Sequence, residues 1–265
     1  MEEQGEGAKR REVITVRHLW AGYEGEMVLQ DVNLSVRQRD FIGIVGPNGG
    51  GKTTLLKVLL GLIQPSRGEV QIMGKPVEEG RAHVGYVPQL TEFDSDFPIK
   101  VWDVARMGRL GDRGLLRPYS KKDDRIVTEA LERVDMLDQR ERSFGDLSGG
   151  QRQRVYVARA LATEPTVLLL DEPLASVDPR VSSSIYDLLK RLNERVTIVM
   201  VSHDVGAISS HVKTVGCLNR RLFYHGADAL TQEMLELAYQ CPIDLIAHGV
   251  PHRVFPDHNA HGGAG

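Results

Sequence analysis

The chain has 265 residues, 41% hydrophobic and 26% charged, with a formal net charge of −3. That length fits one large α/β domain with a small appended segment. That charge argues against a surface made primarily for nucleic acid. Cys217 and Cys241 form neither a disulfide framework nor a metal-type spacing, which fits a reducing cytosol. Residues 1–12 are charged and glycine-containing, lack the apolar core of a secretory signal, and read as a disordered tail. No apolar run reaches the ~18 residues that span a bilayer, so a role at a membrane needs another chain's membrane segment.

In chain order, Val13 to Val36 alternates apolar and polar residues in pieces, which predicts antiparallel strands around Gly22-Tyr23-Glu24-Gly25. Phe41 to Val45 reads as a buried strand and Lys52 to Leu62 as the helix after it. Gly85 to Pro88 is a short strand closing on Gln89. From about 90 to 145 the pattern turns helical, with helices over Val101–Met107 and Asp123–Leu137 separated by a break at Gly111–Pro118. This stretch is a candidate helical subdomain. The chain then alternates: helix 149–162, strand 166–170, helix 179–193, strand 196–201, helix 204–210. Such alternation predicts a mainly parallel sheet. Beyond Gly226 one amphipathic helix, Leu230–Tyr239, precedes a tail rich in Pro, Gly and His over the rest of 227–265.

Three motifs carry chemistry. Gly46-Pro47-Asn48-Gly49-Gly50-Gly51-Lys52-Thr53 fits the phosphate-loop pattern G-x-x-x-x-G-K-S/T between a strand and a helix. Its glycines let backbone N–H groups turn onto a β-phosphate. Lys52 offers a point charge between the β- and γ-phosphates, and Thr53 a hydroxyl for Mg²⁺. Thr54 follows within the same site. Val167 to Leu170 is an apolar strand ending in Asp171 and Glu172, at the strand end where open α/β sheets place ligands. Asp171 suits Mg²⁺, mostly through water, and Glu172 suits the general base for an attacking water. That pairing points to hydrolysis rather than phosphoryl transfer.

The third motif, Leu147-Ser148-Gly149-Gly150-Gln151-Arg152-Gln153-Arg154, says which kind of nucleoside triphosphatase this is. A Ser-Gly-Gly step at a helix start offers bare N–H groups and a hydroxyl to phosphate. The phosphate loop already supplies one such set in cis, so a second set points to a γ-phosphate held from two sides, the second side being another copy of the chain. Ser148 with Gln151 is also a capping-box pattern, and both readings can hold at one helix end.

With these residues in this order, the chain resembles the nucleotide-binding subunits of ATP-binding cassette (ABC) transporters from about Val13 to Gly226. The resemblance implies an α/β P-loop NTPase fold with an antiparallel β subdomain and a helical subdomain. It implies ATP and Mg²⁺ as cofactors and Gly46 to Thr54 as nucleotide ligands. In that family a His after the strand at Thr197 to Ser202, here His203, is the γ-phosphate switch. Gln89 is similar to the glutamine that binds Mg²⁺ or water and senses the membrane partner. Tyr23 lies where the family stacks an aromatic on adenine, with a core or turn tyrosine as the rival reading. Asp178, in Ala175-Ser176-Val177-Asp178, stands in the dimer-crossing loop beside Ser148 to Gln151 as a contact in trans, although the usual wording there is Ser-Ala-Leu-Asp.

The implied partners are a second copy, a transmembrane permease, and indirectly an extracytoplasmic solute-binding protein, at the cytoplasmic face of the membrane. The wording of Phe97-Pro98-Ile99, Met107-Gly108-Arg109 and Cys217-Leu218-Asn219-Arg220 resembles zinc and manganese importers. An importer of iron–siderophore or another small solute is the alternative. A soluble ABC protein of DNA repair or translation is disfavoured by the single phosphate loop and modest insertion. The late histidines His225, His248, His252, His258 and His261 read either as a metal sensor or as a solvated tail.

Overall fold

The computed structural model describes residues 10–89, 97–113, 117–175, 177–204, 208, 211, 212 and 214–226. In chain order the elements are β1 (Glu12–Tyr23), β2 (Glu26–Arg37), β3 (Phe41–Val45), α1 (Lys52–Leu59), β4 (Arg67–Ile72), β5 (Lys75–Pro76), the single turn α2 (Val77–Gly80) and β6 (Val84–Val87). They continue with α3 (Val101–Arg106), α4 (Leu110–Arg113), α5 (Lys121–Arg133), α6 (Gly149–Leu161), β7 (Val167–Asp171), α7 (Pro179–Asn193), β8 (Thr197–Ser202), β9 (Thr214–Asn219) and β10 (Arg221–Gly226).

Two sheets result. The first is antiparallel, in the order β2-β1-β4-β5. The second runs β10-β9-β3-β8-β7-β6, parallel except for the β9–β10 hairpin. Successive residues of the central strands serve opposite faces, as a strand's period of two requires. Phe41, Val45, Leu168, Leu170, Ile198 and Met200 join a core packed under α3, α5, α6 and α7. Ile42, Ile44, Leu169, Val199 and Val201 join a second core with α1 and the antiparallel sheet. Burial on both faces explains why Val-Leu-Leu-Leu (167–170) reads as a continuous apolar run.

The broken alternation of β1 and β2 has a local cause. His18 and Asp31 both have positive φ, 48° and 52°, where the register shifts. The two side chains meet there, His18 Nδ1 lying 2.8 Å from Asp31 Oδ1. Elsewhere the boundaries differ from expectation by one turn. α1 stops at Leu59 rather than Leu62. Gly61 takes φ 70°, and bonds from Gly61 N to Val58 O (2.9 Å) and Leu62 N to Lys57 O (2.8 Å) close a left-handed cap. α5 begins earlier than expected because Ser120 and Asp123 form a reciprocal capping box. It ends earlier because Asp135 adopts φ 59°. The expected break at 111–118 begins with the short α4. Of the helix expected at 204–210, the described part is Asp204 and Ile208. The expected helix at 230–239, the residues beyond it and residues 1–9 lie outside the described residues.

The helical segment is tied together by a buried ion pair. Arg109, on the turn after α3, is 4% exposed. Its Nε donates to Asp123 Oδ1 at 3.0 Å, and one terminal nitrogen donates to the Ala162 carbonyl at 2.8 Å. The Asp123 carboxyl is held far below its ordinary value, first by the Ser120 hydroxyl and backbone N–H, then by Arg109. Arg109→Leu leaves a buried carboxylate without its cation, and the expected loss of stability is about 3–5 kcal/mol by chemical denaturation. A depressed carboxyl pKa contributes stability above the ordinary value of 3.8 that is lost as pH falls below it. The native chain is therefore expected to lose more stability than the Arg109→Leu variant on going from neutral pH to below pH 4.

Candidate functional site

The C-terminal ends of β3, β8, β7 and β6 lie side by side in the parallel sheet. The glycine loop leaves β3, His203 follows β8, Asp171 and Glu172 end β7, and Gln89 lies just past β6. One cavity of about 400 Å³ at this edge is lined by Tyr23, Val28, Asn48, Gly49, Gly51, Lys52, Thr53, Thr54, Gln89, Glu172 and His203.

The loop's shape follows from its glycines at two points. A Cβ on Gly46 would lie 2.0 Å from the Leu218 carbonyl oxygen, so the backbone sits against β9 in a way no other residue permits. Gly51, at φ 102°, starts α1 without a side-chain cap or an acid in its first turn, leaving the helix's positive end facing the cavity. Pro47 and Gly50 complete the loop behind the lining residues.

The charged groups are closely coupled. Lys52 is 6% exposed; its Nζ donates to the carbonyls of Gly46 (2.8 Å) and Pro47 (3.1 Å) and lies 3.5 Å from Glu172 Oε1. The other Glu172 oxygen accepts the His203 backbone N–H at 3.2 Å and lies 2.7 Å from His203 Nδ1. Glu172 itself has φ 46°, a strained conformation for a residue with a side chain, fixed in part by its N–H to the Val201 carbonyl at 3.0 Å.

Asp171, 2% exposed, sits behind the cavity wall. Thr53 Oγ1 donates to one of its oxygens and the Tyr86 hydroxyl to the other, each at 3.3 Å. Burial pushes the Asp171 carboxyl above its ordinary value, and the two hydroxyl bonds oppose that shift. Burial, then the Asp171 charge, pushes Tyr86 up to about 12. The hard oxygens of Thr53 and Asp171 suit Mg²⁺. Among the described residues no group of three His, Cys, Asp or Glu could hold a metal ion. A cation at Asp171 would draw on the Thr53 hydroxyl beside it, with phosphate and water to complete its shell.

Tyr23 is 44% exposed at the cavity rim, with Lys57 Nζ 5.6 Å from its ring centroid. The motif Ser148-Gly149-Gly150 lies elsewhere. Ser148 caps α6: its hydroxyl accepts from Gln151 N at 3.3 Å, and its N–H donates to Gln151 Oε1 at 3.0 Å. Neither Ser148 to Gln151 nor Asp178 lines the cavity. Asp178 is exposed, and its carbonyl accepts the N–H groups of Val181 and Ser182 in the first turn of α7. Val28 and Tyr86 were not singled out from sequence. Val28 has no chemical signal of its own, and Tyr86 is one residue of an apolar strand until β6 is paired with β7.

A glycine loop between a parallel strand and a helix, facing an acid pair two strands away, defines a P-loop nucleotide-binding protein. The comparisons narrow the class. The ABC transporter family profile matches residues 29–175. The manganese transport system ATP-binding protein MntA of Synechocystis sp. is 42% identical over 218 residues, 80% of this chain and 84% of that protein. The zinc uptake system ATP-binding protein ZurA of Listeria monocytogenes is 36% identical over 222 residues, 82% of this chain and 86% of that one. The solved inward-facing structure of a metal-chelate type ABC transporter superposes with a TM-score of 0.78 at 28% identity, covering 87% of this chain and 90% of that one. The chain belongs to the ABC transporter family, as an ABC-type ATPase of the ATP-binding-subunit kind. Among the described residues no helix is long and apolar enough to cross a membrane.

The buried ammonium offers a direct probe. Lys52→Ala is expected to remove measurable ATP binding by calorimetry, because the remaining loop offers only neutral amides to the phosphates.

Proposed function

We propose that the chain is the motor of a membrane importer for manganese or zinc. The observation that carries this is the convergence of the glycine loop, the acid pair, Gln89 and His203 on one cavity, in a chain 36–42% identical to manganese and zinc transport subunits.

Adenine stacks on Tyr23, and the phosphates lie along Gly46 to Thr54 with Lys52 between the β and γ groups. Thr53, Asp171 and Gln89 hold Mg²⁺. When bound, the ion neutralises charge on the β- and γ-phosphates. Glu172 takes the proton from the attacking water, and His203, 2.7 Å from it, orients that water against the γ-phosphate. Lys52 exchanges its loop carbonyls for phosphate oxygens. Ser148, Gly149, Gly150 and Gln151 act on the nucleotide of a second copy, with Asp178 beside them. Their position outside the chain's own cavity supports a contact in trans.

The permease docks in a groove of about 660 Å³ between Arg81, Tyr86, Met107 and Arg159. This groove is favoured because β6 runs from its wall directly to Gln89. The working location is the cytoplasmic face of the membrane, with an extracytoplasmic binding protein delivering the metal. The domain limits that accompany this reading are 13–226 for the ATPase, with a helical subdomain at about 90–145, flanked by a tail at 1–12 and by a C-terminal helix and His-containing tail at 227–265. A metal–chelate cargo is the second reading, favoured by the 28% identical solved structure.

Glu172→Gln keeps the phosphate and metal ligands and removes the base. ATP binding is expected to persist while steady-state turnover falls about 10²–10⁴-fold. Turnover within a few-fold of native would remove Glu172 from that role. For cargo, cells lacking this chain are expected to accumulate less radiolabelled Mn²⁺ or Zn²⁺, with recovery on native but not Glu172→Gln complementation. Normal accumulation of both ions alongside a deficit in ferric-siderophore uptake selects the second reading.

A further inference from the structure

Tyr86 belongs to two places at once. Its hydroxyl donates to Asp171 Oδ2 at 3.3 Å, while the residue also lines the groove beside Met107 and Arg159. Among the described residues lining that groove, Tyr86 alone hydrogen-bonds the acid. The geometry is fixed from both sides. β6 pairs in parallel with β7, Tyr86 opposite Leu169, which sets the ring two residues short of the carboxylate it reaches. The ring packs against the core between the two sheets. Thr53 donates to the other oxygen of Asp171 and keeps its lone pairs free for a cation. The bond from Tyr86 fixes the second oxygen independently of that cation.

We propose that Tyr86 is a positioning residue for the hydrolytic site, orienting Asp171 for the metal–nucleotide complex and carrying displacement of the groove wall to that carboxylate. This rests on Asp171 serving the metal and on the groove taking the permease. It adds a route from groove to site separate from Gln89, through one rigid ring rather than a loop.

The test is calorimetry of ATP binding to the full chain with and without Mg²⁺, with Mn²⁺ electron paramagnetic resonance as a second readout of the bound ion. Tyr86→Phe keeps the ring and removes only the hydroxyl. Its metal-free ATP affinity is expected to match native, which also reports that it is folded. Its affinity gain on adding Mg²⁺ is expected to fall about 5–10-fold, the scale of the net contribution of one intramolecular hydrogen bond. An unchanged gain overturns the positioning role. Asp171→Asn separates this from the underlying reading: if that variant keeps the full Mg²⁺ gain, Asp171 does not serve the metal at all.

The relay is tested by a bulky substitution in the exposed groove wall, Ala82→Trp. It is expected to change the Mg²⁺ gain about two- to threefold in the native background and to have no further effect in the Tyr86→Phe background. Equal effects in the two backgrounds, or none in either, overturn the relay.

Discussion

The seat of the phosphate loop against the end of β9 is the constraint on which the site depends. Gly46 and Gly50 both approach the Leu218 carbonyl within distances that a Cβ would not tolerate without displacement. Two residues further, Arg220, in the left-handed region at φ 60°, donates its N–H to the Gly50 carbonyl and accepts from Gln30 N of β2. The tight β9–β10 turn therefore braces the loop and fastens the antiparallel sheet to the same point. The loop's backbone N–H groups are aimed by tertiary packing as much as by their own sequence.

From that seat the cavity is assembled across both sheets. Tyr23 and Val28 come from the antiparallel layer; Lys52, Thr53, Glu172 and His203 come from the parallel one. Burial makes the electrostatics strong. Lys52 and Glu172 are nearly enclosed, and Asp171 is more so, with two hydroxyls compensating for lost water. The strained φ of Glu172 aims its side chain back at Lys52 and His203, so the two acids of one strand end face different partners.

Much of this was legible in the sequence because glycine, lysine and paired acids at fixed spacing leave few alternatives. The parallel strands were legible for a similar reason: Phe41–Val45 and Val167–Leu170 are apolar on both faces. β4 was not anticipated. Arg67-Gly68-Glu69-Val70-Gln71-Ile72 starts with polar residues and becomes a strand only by pairing with β1. The ends of α5 were displaced because Ser120 and Asp135 act through caps and backbone conformation, which a hydrophobic period does not register. Tyr86 was missed for a related reason. Its partner is 85 positions away, and only the register of β6 on β7 brings the two together.

Two polar side chains that line the cavity already have partners inside the chain. Lys52 is held by two carbonyls and an acid, and Thr53 by Asp171. For Lys52, engaging a phosphate would be a swap, with an internal bond surrendered for each bond formed. In a swap the number of bonds is nearly conserved, so the net free energy is a difference between similar quantities rather than a sum. A site built this way can hold its ligand in the right geometry without holding it too tightly. Such reversibility is what a cyclic machine requires, since each stroke must end with the product leaving and the internal bonds closing again.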